Sequence, residues 1–132
     1  MNIEDLLKKG WKSCTKERME IFNYFEKQHI VSSNSVVEYF EWNIWRASVF
    51  RSLKLFQELW IIRAVQTMDK WESYELNHTG HHHEHFNCSD CWECISFESQ
   101  ELCKKIFDEA KKIGFKIQEH NIGVFGKCQN CC

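Results

Sequence analysis

Ala47-Ser-Val-Phe-Arg-Ser-Leu-Lys-Leu-Phe-Gln-Glu-Leu59 runs directly into Trp60-Ile-Ile-Arg-Ala-Val-Gln-Thr67, and the change of period between them decides the reading of the first half of the chain. In the first run Val49, Phe50, Leu53, Phe56 and Leu59 recur at helical spacing, leaving Arg46, Ser48, Arg51 and Lys54 around the outside. That is a helix with an apolar back and a cationic front. Ile61–Thr67 of the second run and Ser73-Tyr-Glu-Leu76 read as two strands joined by the hairpin Met68-Asp-Lys-Trp-Glu72. Upstream, residues 3–9 form a short amphipathic helix. Thr15-Lys-Glu-Arg18 opens a second with Thr15 as N-cap and Ile21, Phe22 and Phe25 facing inward; Ser32 or Ser33 caps a third that buries Val36, Val37 and Phe40. Three helices followed by a two-stranded wing predict a winged helix-turn-helix, whose last helix lies in the major groove while the wing touches phosphates.

Downstream, His81-His-His-Glu-His-Phe-Asn-Cys88-Ser-Asp-Cys91 sets nitrogen and oxygen donors beside a Cys-x-x-Cys pair, and Cys128-Gln-Asn-Cys131-Cys132 closes the chain. Two such pairs, Cys88 with Cys91 and Cys128 with Cys131, predict one four-sulfur structural zinc site that pins the C-terminal residues to the centre of the sequence. Cys94 and Cys132 adjoin these pairs and could each replace an assigned ligand. Around them the pattern predicts strands over 83–87, 94–97 and 115–125 and a helix over 99–113 with Leu102, Ile106, Ala110 and Ile113 as its buried stripe. The fold class is therefore α+β: an N-terminal winged-helix DNA-binding domain over 1–76, a hinge over 77–80, and a small C-terminal α/β metal-binding and dimerisation domain over 81–132.

With 132 residues, 43% hydrophobic and 27% charged, the composition is that of a globular chain. Mean hydropathy is -0.51, no apolar run approaches the length of a membrane span, and the N-terminus lacks a signal-peptide core, so a cytoplasmic protein is expected. In a reducing compartment eight cysteines mean metal before disulfide. The net charge of -2 carries no global nucleic-acid signature, yet residues 42–63 set Arg46, Arg51, Lys54 and Arg63 against Glu58 alone. A local cationic element on a near-neutral chain suits a dimer reading DNA with one helix per subunit.

Taken together, Leu7-Lys-Lys-Gly10, Thr15-x-x-Arg18, Arg46-Ala-Ser-Val-Phe-Arg51, Tyr74-Glu-Leu76, His82-His-Glu-His85 with the cysteine pair after it, Gly114-Phe115 leading to His120, and Gly126-x-Cys128 resemble the ferric uptake regulator family in order and spacing. The likeness runs from Leu6 to Cys131. It implies a homodimeric, metal-dependent repressor that binds AT-rich inverted-repeat double-stranded DNA and controls uptake of zinc or iron. It also implies two regulatory metal sites. One gathers His29, Glu75, His83 and His85, linking the two domains; the other uses His82, Glu84, Cys103 and His120, with Cys103 where relatives commonly carry a carboxylate. A further carboxylate of many relatives falls on Ser96, with Glu98 the nearest substitute. Thiolate and imidazole suit zinc better than ferrous ion, so the regulatory metal is expected to be Zn2+ ahead of Fe2+ or Mn2+. On the DNA-facing helix Arg46, Ser48, Phe50, Arg51 and Lys54 are the expected contacts, Phe50 being open also to a packing role.

Six tryptophans accompany five glycines and no proline. Trp60 follows a helix where a left-handed cap is wanted, Trp71 sits in the hairpin, and Trp92 follows the first cysteine pair where a metal knuckle turns tightly. Glycine is the residue backbone sterics prefer at all three. Either those turns are strained or the native host places glycine there, and Trp42 and Trp45 raise the same question. No nucleophile has a convincing base, so an enzyme is not expected. Two other functions compete with a repressor: a zinc-buffering metallochaperone without specific DNA binding, and an iron-based peroxide sensor.

Overall fold

The computed structural model describes residues 2–77, 83–118 and 120–132, and the chain divides into two compact units, Met1–Val65 with Asp69–Gly80 and Gln66–Met68 with His81–Cys132. In the first unit, α1 (Ile3–Lys9) starts at Asn2, whose side chain accepts from the Glu4 N–H at 3.0 Å. Helix α2 (Lys16–Lys27) starts at Thr15, whose hydroxyl accepts from the Arg18 N–H at 3.2 Å. Each side-chain cap satisfies an orphan amide of the first turn, so the sequence marks these starts sharply. Strand β1 (Val31–Ser32) leads into α3 (Ser33–Tyr39), with Ser32 as N-cap rather than Ser33. Helix α4 (Arg46–Glu58) precedes β2 (Ile62–Val65) and β3 (Ser73–Leu76).

The wing is a three-stranded antiparallel sheet ordered β1-β3-β2, in which Arg63 lies opposite Glu75 and Val31 opposite Tyr74. The edge strand β1 escapes a periodicity reading because two residues have no period; only the partner strand defines them. Packing follows the expected stripes: Ile3, Leu7, Ile21, Phe22, Phe25, Val36, Phe40, Val49, Leu53 and Phe56 are buried in one cluster with Ile61, Ile62 and Tyr74. Burying side chains of this size contributes about 1.5–3 kcal/mol each, so this unit has an ordinary apolar core. Val37 and Leu59 are only half-buried.

The second unit is built differently. Strands β4 (Glu84–Cys88), β5 (Cys94–Phe97) and β6 (Gly123–Gly126) form a sheet ordered β5-β4-β6, with β5 antiparallel and β6 parallel to the central strand. Helix α5 (Gln100–Lys112), capped by Ser99, makes the crossover that a parallel neighbour requires. Among the described residues of this unit the fully buried positions are Glu84, His85, Asn87, Cys88 and Ala110. Polar donors occupy the places where the first unit has hydrocarbon.

Two expectations for this unit are corrected. The strand foreseen over 115–125 begins only at Gly123, because α5 ends in a reversing cap: Gly114 has φ +67°, its N–H reaches the Lys111 carbonyl at 3.2 Å, and the Phe115 N–H reaches the Ala110 carbonyl at 2.9 Å. The expected stripe on α5 is buried only at Ala110; Leu102 and Ile106 are half-buried and Ile113 is exposed. A single small sheet has too little area to cover that stripe. No described helix is long and apolar enough to cross a membrane.

Candidate metal centres and nucleic-acid surface

The hairpin between β4 and β5 and the residues after β6 bring together the two cysteine pairs. Cys88 ends β4 opposite Gly126, and the turn closes with Cys88 N–H donating to the Glu93 carbonyl at 2.9 Å and Trp92 N–H to the Cys88 carbonyl at 3.0 Å. The sulfurs of Cys88, Cys91, Cys128 and Cys131 all lie within 4.8 Å of one another, and Cys91 Sγ stands 3.8 Å from Cys128 Sγ. Tetrahedral zinc with thiolate bonds near 2.3 Å spaces its sulfurs by about 3.8 Å, so the donor set fits that ion. Backbone N–H groups of Cys91, Cys128 and Asp90 point at the Cys88 sulfur and lower its pKa to about 6, while sharing protons with Cys128 and Cys88 raises that of Cys131. A thiol whose thiolate is favoured in this way is suited to ligate a metal ion. Cys94 and Cys132 are not in this cluster.

A second group lies between β4 and α5. Glu84, 1% exposed, accepts from the Ile122 N–H through Oε2 at 2.7 Å, and its Oε1 stands 3.1 Å from His120 Nε2. Cys103 Sγ lies 3.5 Å from the same His120 nitrogen, and the three donor atoms are within 4.8 Å of one another. The expected set is thus brought together at Glu84, Cys103 and His120; its fourth member, His82, lies outside the described residues, as do 78–80 of the expected hinge. A carboxylate, a thiol and an imidazole at these separations fit a divalent cation with affinity for sulfur, zinc above all.

The other expected set is divided between the units. His29 is exposed just before β1, and Glu75 is buried in β3 with Arg63 Nε 2.9 Å from its Oε1; His85 is wholly buried in β4, and His83 precedes that strand. The arginine opposite Glu75 was absent from the sequence-level site, although strand register alone would have paired them.

On α4, Arg46, Phe50, Arg51 and Lys54 are exposed and Ser48 is half-buried. Phe50 is turned off the buried stripe, its ring beneath the Arg46 guanidinium at 5.6 Å, and Arg51 Nη2 donates to Ser48 Oγ at 3.0 Å. This resolves the two readings of Phe50 in favour of the surface.

A feature not foreseen is an apolar row across the second sheet. Phe86, Ile95 and Val124 are direct partners in the ladder, and all three are exposed, with Phe125 beside them. The signal existed in the alternation of β4, but only the register shows the three side chains on one face.

The model of the ferric uptake regulator family matches residues 8–125, nearly the whole of both units. The chain is a member of the ferric uptake regulator family. The ferric uptake regulation protein of Bordetella parapertussis is 28% identical over 138 residues, covering 99% of this chain and 97% of that protein. That of Synechococcus elongatus is 25% identical over 140 residues, covering 96% and 90%. Among solved structures, the Vibrio cholerae ferric uptake regulator superposes with a TM-score of 0.74 at 25% identity, covering 96% of this chain and all of that one. The Francisella tularensis ferric uptake regulator with iron gives 0.72 at 26% identity, covering 90% and 93%. This ferric uptake regulator homologue is accordingly a metal-responsive regulator of transcription and not an enzyme, with the expected winged helix and α/β unit.

Proposed function

We propose that this regulator is a homodimeric repressor that binds AT-rich inverted repeats when its regulatory sites hold metal, and that the metal whose uptake it controls is zinc. One observation carries the reading: among the described residues of the second unit three of the five buried positions are metal donors, Glu84, His85 and Cys88, where a stable domain of that size would need hydrocarbon. Such a unit draws much of its stability from bound ions, so metal supply governs its conformation. Cys88, Cys91, Cys128 and Cys131 would hold a permanent zinc ion. His82, Glu84, Cys103 and His120 would hold one regulatory ion, and His29, Glu75, His83 and His85, drawn from both units, the other. Bound there, a cation supplies the charge and directed bonds that the apo chain lacks.

The thiol at Cys103 favours zinc over ferrous or manganous ion at its site. A TM-score of 0.72 to a zinc uptake regulator complexed with zinc and DNA, at 19% identity, supports the fold on which this rests. The exposed row Phe86, Ile95 and Val124 is the face suited to a second copy of the chain, and it lies on the unit with the smaller core. The dimer would act in the cytoplasm with DNA, Arg46, Arg51 and Lys54 holding phosphates or guanine while Phe50 and Ser48 meet base edges.

The test is a gel-shift titration with palindromic AT-rich DNA across zinc, iron and manganese, in protein already loaded with structural zinc. Retardation that appears at the lowest free concentration of zinc is expected. Binding indifferent to metal, or none, would refute the proposal; tight uptake of several zinc ions without DNA binding would identify a zinc buffer instead.

A further inference from the structure

Three helices in this chain end with the same hydrogen-bonded reversal. In α5 the residue after the C-cap is Gly114 at φ +67°, flanked by the 3.2 Å and 2.9 Å bonds to Lys111 and Ala110 described above. After α1 the equivalent residue is Trp11 at φ +57°, its N–H bonded to the Lys8 carbonyl at 3.0 Å and that of Lys12 to the Leu7 carbonyl at 2.8 Å. After α4 it is Trp60 at φ +59°, with its N–H on Gln57 at 3.0 Å and that of Ile61 on Phe56 at 2.8 Å. The motif needs a left-handed residue, which a side chain with a Cβ resists and glycine adopts freely. Trp92, in the cysteine knuckle, is the third tryptophan in this conformation, at φ +64°. Among the described residues every non-glycine with positive φ is a tryptophan.

Packing gives little compensation. The side chains of Trp11, Trp60 and Trp92 are 96%, 51% and 61% exposed, and Trp42, Trp45 and Trp71 are exposed as well. Indole is among the largest apolar groups a protein can bury, and six of six on the surface is the opposite of its usual distribution. Steric strain at three turns with little return in buried area is not a state that selection retains without a use, and glycine removes it at each turn.

We infer that the polypeptide made in the native host carries glycine at positions 11, 60 and 92, its cell reading as glycine a triplet that this sequence renders as tryptophan. Of the triplets with that ambiguity the stop codon UGA is the natural candidate, since it is read as tryptophan in some genetic codes. The same rule converts any of positions 42, 45 and 71 that is spelled with that triplet. Position 71 has no geometric demand of its own: Trp71 is not left-handed, because its N–H is held by the Asp69 carboxylate at 3.0 Å, which makes the turn in glycine's stead. Position 45 has one, since Trp45 is the N-cap of α4 without a side-chain cap bond, a place where glycine serves well. Position 11 was not among those the sequence alone singled out.

The inference stands apart from the DNA-binding reading but bears on it. Trp42 and Trp45 lie at the start of α4 beside Arg46, so a chain with indoles there presents a different surface to a duplex from one with glycine.

Three measurements test it. The gene is expected to spell positions 11, 60 and 92 with UGA, and peptides spanning them, recovered from native cells and weighed by mass spectrometry, are expected to carry glycine. UGG at these positions, or tryptophan in those peptides, would overturn it. In recombinant protein loaded with zinc, W11G, W60G and W92G should each favour the folded state by about fivefold in the unfolding equilibrium, the relief of left-handed strain being partly offset by the greater freedom of unfolded glycine. A triple variant no more stable than the tryptophan chain would likewise overturn it.

Discussion

Replacing Arg63 by methionine keeps most of the stem's volume and removes the guanidinium from a carboxylate it meets at 2.9 Å across the β2–β3 ladder. Both side chains are 5% exposed, so neither charge has water to fall back on. Breaking such a pair from one side leaves a buried charge without its salt-bridge partner and costs about 3–5 kcal/mol, whereas exchanging both residues for apolar ones is often close to neutral. R63M should therefore lower the stability of the first unit by about 3–5 kcal/mol, and R63M/E75M should recover most of the loss. With a urea slope of roughly 1–2 kcal/mol per molar for so small a unit, the unfolding midpoint falls by about 1.5–5 M. Because Glu75 is a proposed regulatory ligand, a divalent ion can stand in for the missing cation. Zinc at about a hundred times its dissociation constant adds roughly 2.7 kcal/mol, so added metal should restore R63M further than it raises the parent protein. The assay is urea denaturation followed by far-ultraviolet circular dichroism, with and without excess zinc. A loss below about 1 kcal/mol in R63M, or a double variant as damaged as the single, would refute the reasoning that charge compensation holds this pair.

In the metal-free protein the first thiolate of the cysteine cluster should appear near pH 6 in ultraviolet absorbance and vanish in Cys88→Ser, because backbone N–H groups lower that thiol. Its folded value lies below an unfolded thiol's, about 8.5, so its contribution to stability is complete above that value and is lost as pH falls through about 6; stability from this group that rose on acidification would contradict the assignment. Cobalt bound at the Glu84 site should show sulfur-to-metal charge transfer that C103S abolishes while the four-cysteine site keeps its zinc, and C103D should shift preference toward manganese or iron. F86D, placed in the centre of the exposed apolar row, should weaken dimerisation by at least tenfold in sedimentation equilibrium; an unaltered dimer would place the interface elsewhere.

What the sequence determined by itself is local. The starts of α2 and α3 were legible because Thr15 and Ser32 carry the side-chain acceptors that first-turn amides need, and the buried faces of α2 and α4 because hydrocarbon recurs there with the helical period. The two cysteine pairs were legible because chelation leaves a short-range spacing. The tertiary structure decided whatever depends on a partner distant in the chain. Strand β1 exists only as the neighbour of β3, and β6 starts late because the cap at Gly114 turns the chain away first. Phe50 left the core although its spacing admitted it, and Cys103 came to His120 across seventeen residues. The demand for glycine divides the same way: the tight turns announce it in sequence at 60 and 92, but the left-handed angle at 11 is fixed by hydrogen bonds that only the folded helix end makes. Hydrogen-bonded caps and periodic faces are written within a turn or two of chain, whereas ladders, donor clusters and exposed faces arise from which distant segments meet.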